Sequence, residues 1–231
     1  MTLDSRRERL WTAMGLGPVW SARSAAESVP LGRTASIARM GWDVLERTVK
    51  DCTACGLHET RTQAVFGVGN RSAEWMLVGE APGAEEDARG EPFVGQAGKL
   101  LDNMLAAVGL TRAGTGPRAV YIANVLKCRP PGNRNPAPDE VGACDPFLRR
   151  QIELVQPKLV LVMGRFAAQS LLASDASIAS LRGTVHHIEV AGRRVPVVVT
   201  YHPAYLLRNL ADKAKSWADL CLAREVVSRT D

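Results

Sequence analysis

The sequence of 231 residues lacks any apolar run long enough to cross a bilayer, which excludes a helical membrane protein. Residues 1–10 lack the continuous apolar core of a secretory signal, and the five cysteines make an odd set. A disulfide framework is therefore not expected, and a reducing cytoplasm is the natural setting. No Gly-Lys-Ser or Gly-Lys-Thr follows the first predicted strand, which disfavours a P-loop phosphohydrolase, and no internal repeat is present. Net charge is low: +5, with a pI near 9.1, permits a polyanionic partner without demanding one. The segment up to Met40 is rich in Arg, Ser and Ala, but Asp4, Glu8 and Glu27 set it apart from an acid-poor transit peptide. It reads as a weakly ordered extension over residues 1–40, with a short helix at 5–14 and with Trp11 and Trp20 docking it on a domain over residues 41–231.

What is present is a core. Hydrophobic residues make up 46% of the chain, enough for one large α/β domain. Apolar, largely β-branched runs at 75–78, 119–126, 159–163 and 195–200 predict four strands. Helical spacing covers 41–50, 97–108, 139–154, 166–172 and 212–227. Strands alternating with helices imply a parallel sheet covered on both faces, with ligands beyond the carboxyl ends of its strands. Residues 185–195, split by Ala191 and Gly192, read as a hairpin feeding the last strand.

The stretch from Leu77 to Gly95 organises the rest: a buried strand breaks on Gly79-Glu80-Ala81-Pro82-Gly83 and re-enters a helix at Gln96. Its glycines let backbone approach a ligand, Glu80, Glu86 and Asp87 supply carboxylates, and Phe93 offers a flat apolar face, a combination suited to a planar polar ligand. Cys52 and Cys55, with two residues between them, are joined by Cys128 and Cys144 as the makings of a closed four-thiolate site. Zinc and a [4Fe–4S] cluster both accept such a set, and spacing alone does not separate them. Cys221, on an amphipathic helix, reads as a buried small hydrophobe.

Read together and in order, several motifs resemble the iron–sulfur (family 4) uracil-DNA glycosylases. They are Cys52-x-x-Cys55-x-Leu57-His58-x-Thr60-Arg61-Thr62, Gly79-Glu80-Ala81-Pro82-Gly83-x-x-Glu86-Asp87, Pro92-Phe93-Val94-Gly95, Asn124-x-x-Lys127-Cys128-Arg129-Pro130-Pro131-x-Asn133-Arg134, Cys144, and His202-Pro203-Ala204-Tyr205-Leu206-Leu207-Arg208. The resemblance covers the chain from about Leu45 onward and implies an α/β/α sandwich around a four-stranded parallel sheet, a structural [4Fe–4S] cluster on Cys52, Cys55, Cys128 and Cys144, and a monomer acting on uracil in single- or double-stranded DNA. It also implies roles for individual residues. Phe93 stacks on the flipped base, Asn124 reads its edge, backbone near Glu80 and Ala81 holds its remaining polar atoms, and His202 donates to O2 as the base leaves. Glu86 is a specificity element. Where the best-studied related family has a water-orienting Asp, this chain has Ala81, so Glu80, Glu86, Asp87 and Asn133 are left as candidates for handling the water. Leu206 is the wedge into the DNA stack, Arg208 and Arg129 meet phosphate, and Lys127, Arg134 and Arg165 add backbone contacts. A related branch traps its substrate covalently through a histidine in an inserted loop; no such histidine follows Pro131 here, which favours turnover.

Overall fold

A computed structural model of the protein describes residues 9–11, 13–15 and 32–229. By its internal contacts the chain divides into two units, Met1–Ala35 and Ser36–Asp231. The helix expected over 5–14 falls partly, and Trp20 wholly, outside the described residues, while Trp11 is 38% exposed.

The second unit is built on a six-stranded sheet of order β1-β3-β2-β4-β6-β5: β1 (Val68–Gly69), β2 (Trp75–Gly79), β3 (Tyr121–Asn124), β4 (Leu159–Met163), β5 (Val185–Val190) and β6 (Arg193–Thr200). The inner four are parallel, Leu77 pairing with Ile122 on one side and Leu161 on the other, and Leu161 with Val198. They are the four strands expected from the apolar runs. The edges are antiparallel: β5 and β6 form the expected hairpin around Ala191 and Gly192, both at positive φ (+50° and +75°) as a tight hairpin turn requires. The two-residue β1 is an addition, too short to carry a sequence signal.

Alternation along the strands sorts the core into two layers. Met76, Val78, Val160, Val162, Val197 and Val199 face one way, against Leu148, Ile152 and Val155 of α4 (Pro138–Val155) and Ala167, Ala168 and Leu171 of α5 (Arg165–Leu172). Trp75, Leu77, Ile122, Leu159, Leu161 and Val198 face the other, against Leu101 and Leu105 of α3 (Gln96–Ala107) and Leu220, Ala223 and Val227 of α8 (Lys213–Ser228). Helices on both faces of a mainly parallel sheet make a three-layer sandwich. The same unit also contains α1 (Trp42–Lys50), α2 (Ala84–Arg89), α6 (Ile178–Leu181) and α7 (Pro203–Arg208). A separate small cluster joins Leu57 and Leu126 to Cys128 and Cys144. Among the described residues no helix is long and apolar enough to cross a membrane.

Strand order places the functional end. From β2 the chain moves to β3 on one side, whereas from β4 it moves to β6 on the other, so the crevice between β2 and β4 opens beyond Gly79 and Met163.

Candidate active site

A cavity of about 460 Å³ opens at that end of the sheet, lined from the segments that follow β2, β3 and β6 and within the size range of small-molecule sites. Glu80, Ala81, Glu86, Phe93, Asn124, Asn133, His202 and Arg208 all line it, so most of the residues singled out in the sequence meet in one place. Tyr205, Ala97 and Pro82 line it too without having been singled out; Tyr205 lay inside the His202–Arg208 motif, where its own signal was no more than an aromatic between aliphatics.

Phe93 is the most constrained of these. It is buried, sits at φ +56°, and stacks on the His202 ring with centroids 5.4 Å apart and planes at 27°. A left-handed conformation at a bulky residue costs about 1–3 kcal/mol and persists only where its surroundings impose it. Glu86 does so: one carboxylate oxygen accepts the N–H groups of Val94 (3.0 Å) and Gly95 (3.3 Å), and the other accepts Gly83 N–H (3.1 Å). Gly98 leaves room for that conformation, since a Cβ there would overlap the Phe93 carbonyl. Gly79 leaves the ring its space, because a Cβ at that position would lie 2.6 Å from Phe93 Cζ and against Asn124 Oδ1.

Asn124 closes the end of β3 at 2% exposure, and its Oδ1 is buried with no protein partner. An orphaned amide oxygen costs about 1–3 kcal/mol, which a ligand donor in the cavity recovers. The Asn124 carbonyl accepts from Lys127 Nζ (2.7 Å), which also donates to Gln151 Oε1 (2.6 Å).

His202 is the N-cap of α7. Its Nδ1 accepts the Ala204 N–H at 3.1 Å, so the proton of the neutral ring sits on Nε2. Burial first, with Arg208 helping and Glu86 opposing, pulls its pKa down to about 4. Gly164, at φ +96°, lets the histidine approach, a Cβ there falling 3.2 Å from His202 Cβ. The ring is thus a neutral donor at physiological pH. Burial raises the Glu80 carboxyl, and Arg165 pulls it back.

Three expectations need correction. Leu206 is 1% exposed, turned among Leu100, Met104 and Leu220, whereas its neighbour Leu207 is 42% exposed. On a six-residue helix a single step in sequence moves a side chain from one face to the next. Lys127 is buried on Asn124 and Gln151 and cannot meet phosphate. Asp87 is buried, both its oxygens accepting the Thr62 N–H at 3.0 Å, and it does not line the cavity. Of the remaining basic residues, Arg129 donates to Asn133 Oδ1 (2.7 Å), Arg134 forks onto Glu140, and Arg208 is exposed at the cavity rim.

The four motif cysteines line a second, small cavity with Val49, His58, Lys127 and Phe147. Among the described residues no three His, Cys, Asp or Glu side chains are grouped to hold a single metal ion. Four thiols lining one small, largely apolar space are a donor set that a [4Fe–4S] cluster accepts. Burial raises the Cys128 thiol against the lowering effect of an Arg61 hydrogen bond, and pushes Cys144 up to about 11; coordination would deprotonate both.

Comparison with known proteins agrees with this geometry. A family model described as the Uracil DNA glycosylase superfamily matches residues 66–221. The chain is 48% identical over 169 residues to a type-4 uracil-DNA glycosylase of Archaeoglobus fulgidus, covering 71% of this chain and 82% of that protein. It is 42% identical over 174 residues to that of Thermotoga maritima (75% and 86%) and 39% over 182 residues to that of Pyrobaculum aerophilum (77% and 90%). With a superfamily match over more than half of the sequence and such identity across most of each relative, the chain belongs to the uracil-DNA glycosylases, within their type-4 branch.

Proposed function

We infer that this protein hydrolyses the N-glycosidic bond of deoxyuridine in DNA, leaving an abasic site that initiates base excision repair. It works in the cytoplasm on chromosomal DNA, as a monomer. The observation that carries the reading is the meeting, in one cavity, of a stacked Phe93, an Asn124 side chain whose Oδ1 has no partner and a neutral His202 bearing its proton on Nε2.

The glycosidic bond is out of reach inside a duplex, so the nucleotide is flipped into the cavity, at a few kcal/mol of unstacking. Phe93 stacks on the ring. Asn124 accepts from N3–H and donates to O4, and the reversed pattern of cytosine leaves both amide groups unpaired. Backbone at Glu80 and Ala81 holds the remaining edge. Glu86 acts on the base indirectly, by fixing the loop that carries Phe93 and so the wall that a thymine methyl would meet.

As the bond breaks, charge gathers on O2 of the leaving base while the sugar becomes cationic. Nε2–H of His202 donates to that oxygen more strongly in the transition state than in the ground state. Glu80, a half-buried carboxylate beside Ala81, orients the water, with Asn133 across the cavity as its second partner. Leu207 takes the wedge role expected of Leu206, with Arg208 and Arg129 on phosphate. Cys52, Cys55, Cys128 and Cys144 would hold a [4Fe–4S] cluster, which would supply a structural crosslink when bound. The four cysteines would thereby tie the segment after α1 to the proline-rich loop after Cys128 and to α4, which carries Cys144.

Single-turnover excision from a uracil-containing oligonucleotide tests this reading. His202→Ala should lower the rate by about 10²- to 10³-fold with little loss of DNA affinity. Asn124→Ala should lower uracil excision while leaving abasic-site binding intact. Full rates in both variants would remove the assignment.

A further inference from the structure

Arg61 belongs to a motif that the chemistry above leaves unused, and it does not line the catalytic cavity. Its guanidinium is held at two points: Nη1 donates to Cys128 Sγ at 3.0 Å and Nη2 donates to the Lys50 carbonyl at 2.7 Å. Lys50 ends α1, two residues before Cys52, so one planar fork reaches from the segment carrying the first cysteine pair to the third cysteine. We propose that Arg61 is a positioning residue that tunes the electron affinity of the cluster, through an N–H···S bond and a fixed positive charge on the Cys128 thiolate. The proposal rests on the cluster reading above.

The physical argument is one of charge. Adding an electron to a thiolate-bound cluster increases negative charge on its sulfurs, and a donor cation at hydrogen-bond distance stabilises that form more than the oxidised one. Leu57 and Leu126 are buried against Cys128 and Cys144, so the sulfur end of the contact lies in a lower dielectric than water although Arg61 itself is only half-buried. The second bond, to Lys50, holds the guanidinium in register. A purely mechanical clip would affect how much cluster the protein retains and how well it withstands heat. It would not alter the potential of an intact cluster.

The test compares the full-length wild type, Arg61→Gln and Arg61→Lys, purified without oxygen, with iron and sulfide counted and the visible absorbance followed through a mediated one-electron titration. Arg61→Gln should favour the oxidised form about tenfold, a fall of about 59 mV, with Arg61→Lys between it and the wild type. An intact Arg61→Gln cluster with the wild-type potential overturns the proposal, whatever its melting temperature. If the glutamine variant loses its cluster, a second neutral variant, Arg61→Met, decides in the same way, a potential equal to the wild type's being the contrary result. A wild type with neither iron nor sulfide defeats the cluster reading itself, and is recognised before any variant is measured.

Discussion

His202 can donate to a developing oxyanion without first losing a proton, because burial keeps the ring neutral far below the usual histidine range. Two consequences follow for pH. An excision rate dependent on the neutral ring should show no acid limb near pH 6.5, the fall appearing only towards about pH 4. The folded pKa lies below the unfolded one, so between about 6.5 and 4 the unfolded chain binds the extra proton, and stability falls as pH drops through that window. Single-turnover profiles and denaturant midpoints at several pH values check the two separately. The α7 leucines give a second prediction. Leu206→Ala should cost about 3 kcal/mol of stability, as a truncated core leucine does, whereas Leu207→Ala should leave stability within about 0.5 kcal/mol and weaken productive flipping. Thermal melts and base-flipping fluorescence separate them. Spacing from His202 did not reveal which leucine faces out, since that depends on α3 packing beneath α7. Nor could the burial of Lys127 be read from its type, because lysine is nearly always exposed and its bonds to Asn124 and Gln151 make the exception tenable.

Among the elements, the loop from Gly79 to Gly98 shows how local rules and function conflict. The sequence marked the loop through its glycines and acids, and marked Phe93 as an unusual place for a core aromatic. Which acid performs chemistry and which holds backbone was hidden, because that is settled by neighbours far along the chain or across the turn. Glu86 binds three N–H groups of its own loop, Asp87 binds Thr62, and Glu80 is left at the cavity. Gly98→Ala should therefore lower excision at least tenfold by driving Phe93 out of its stack on His202, with a loss of stability of roughly 1–3 kcal/mol from the displaced backbone. Steady-state rates beside a denaturant melt check it. The inner strands were readable because buried parallel strands are continuous apolar runs; β1, with two residues, offers no such run.

At the scale of the whole molecule, two features far apart in sequence are brought to one end of a single sheet: the base cavity beyond β2 and β3, and the cysteine cavity beside it. Lys127 stands between them, adjacent to Cys128 and bonded to the Asn124 carbonyl. If the four cysteines hold the proposed cluster, Cys128→Ala should remove the visible absorbance and lower soluble yield and melting temperature, because such a crosslink would contribute to folding. Absorbance spectra and thermal melts check this.

The central claim is tested most directly by incubating the purified protein with a single-stranded oligonucleotide carrying one uracil, beside an identical strand carrying thymine, and scoring alkali-labile sites. Multiple-turnover cleavage at the uracil and none at the thymine is the predicted result. Stable retention of the uracil strand without release of the base, or no reaction with either strand, would contradict it.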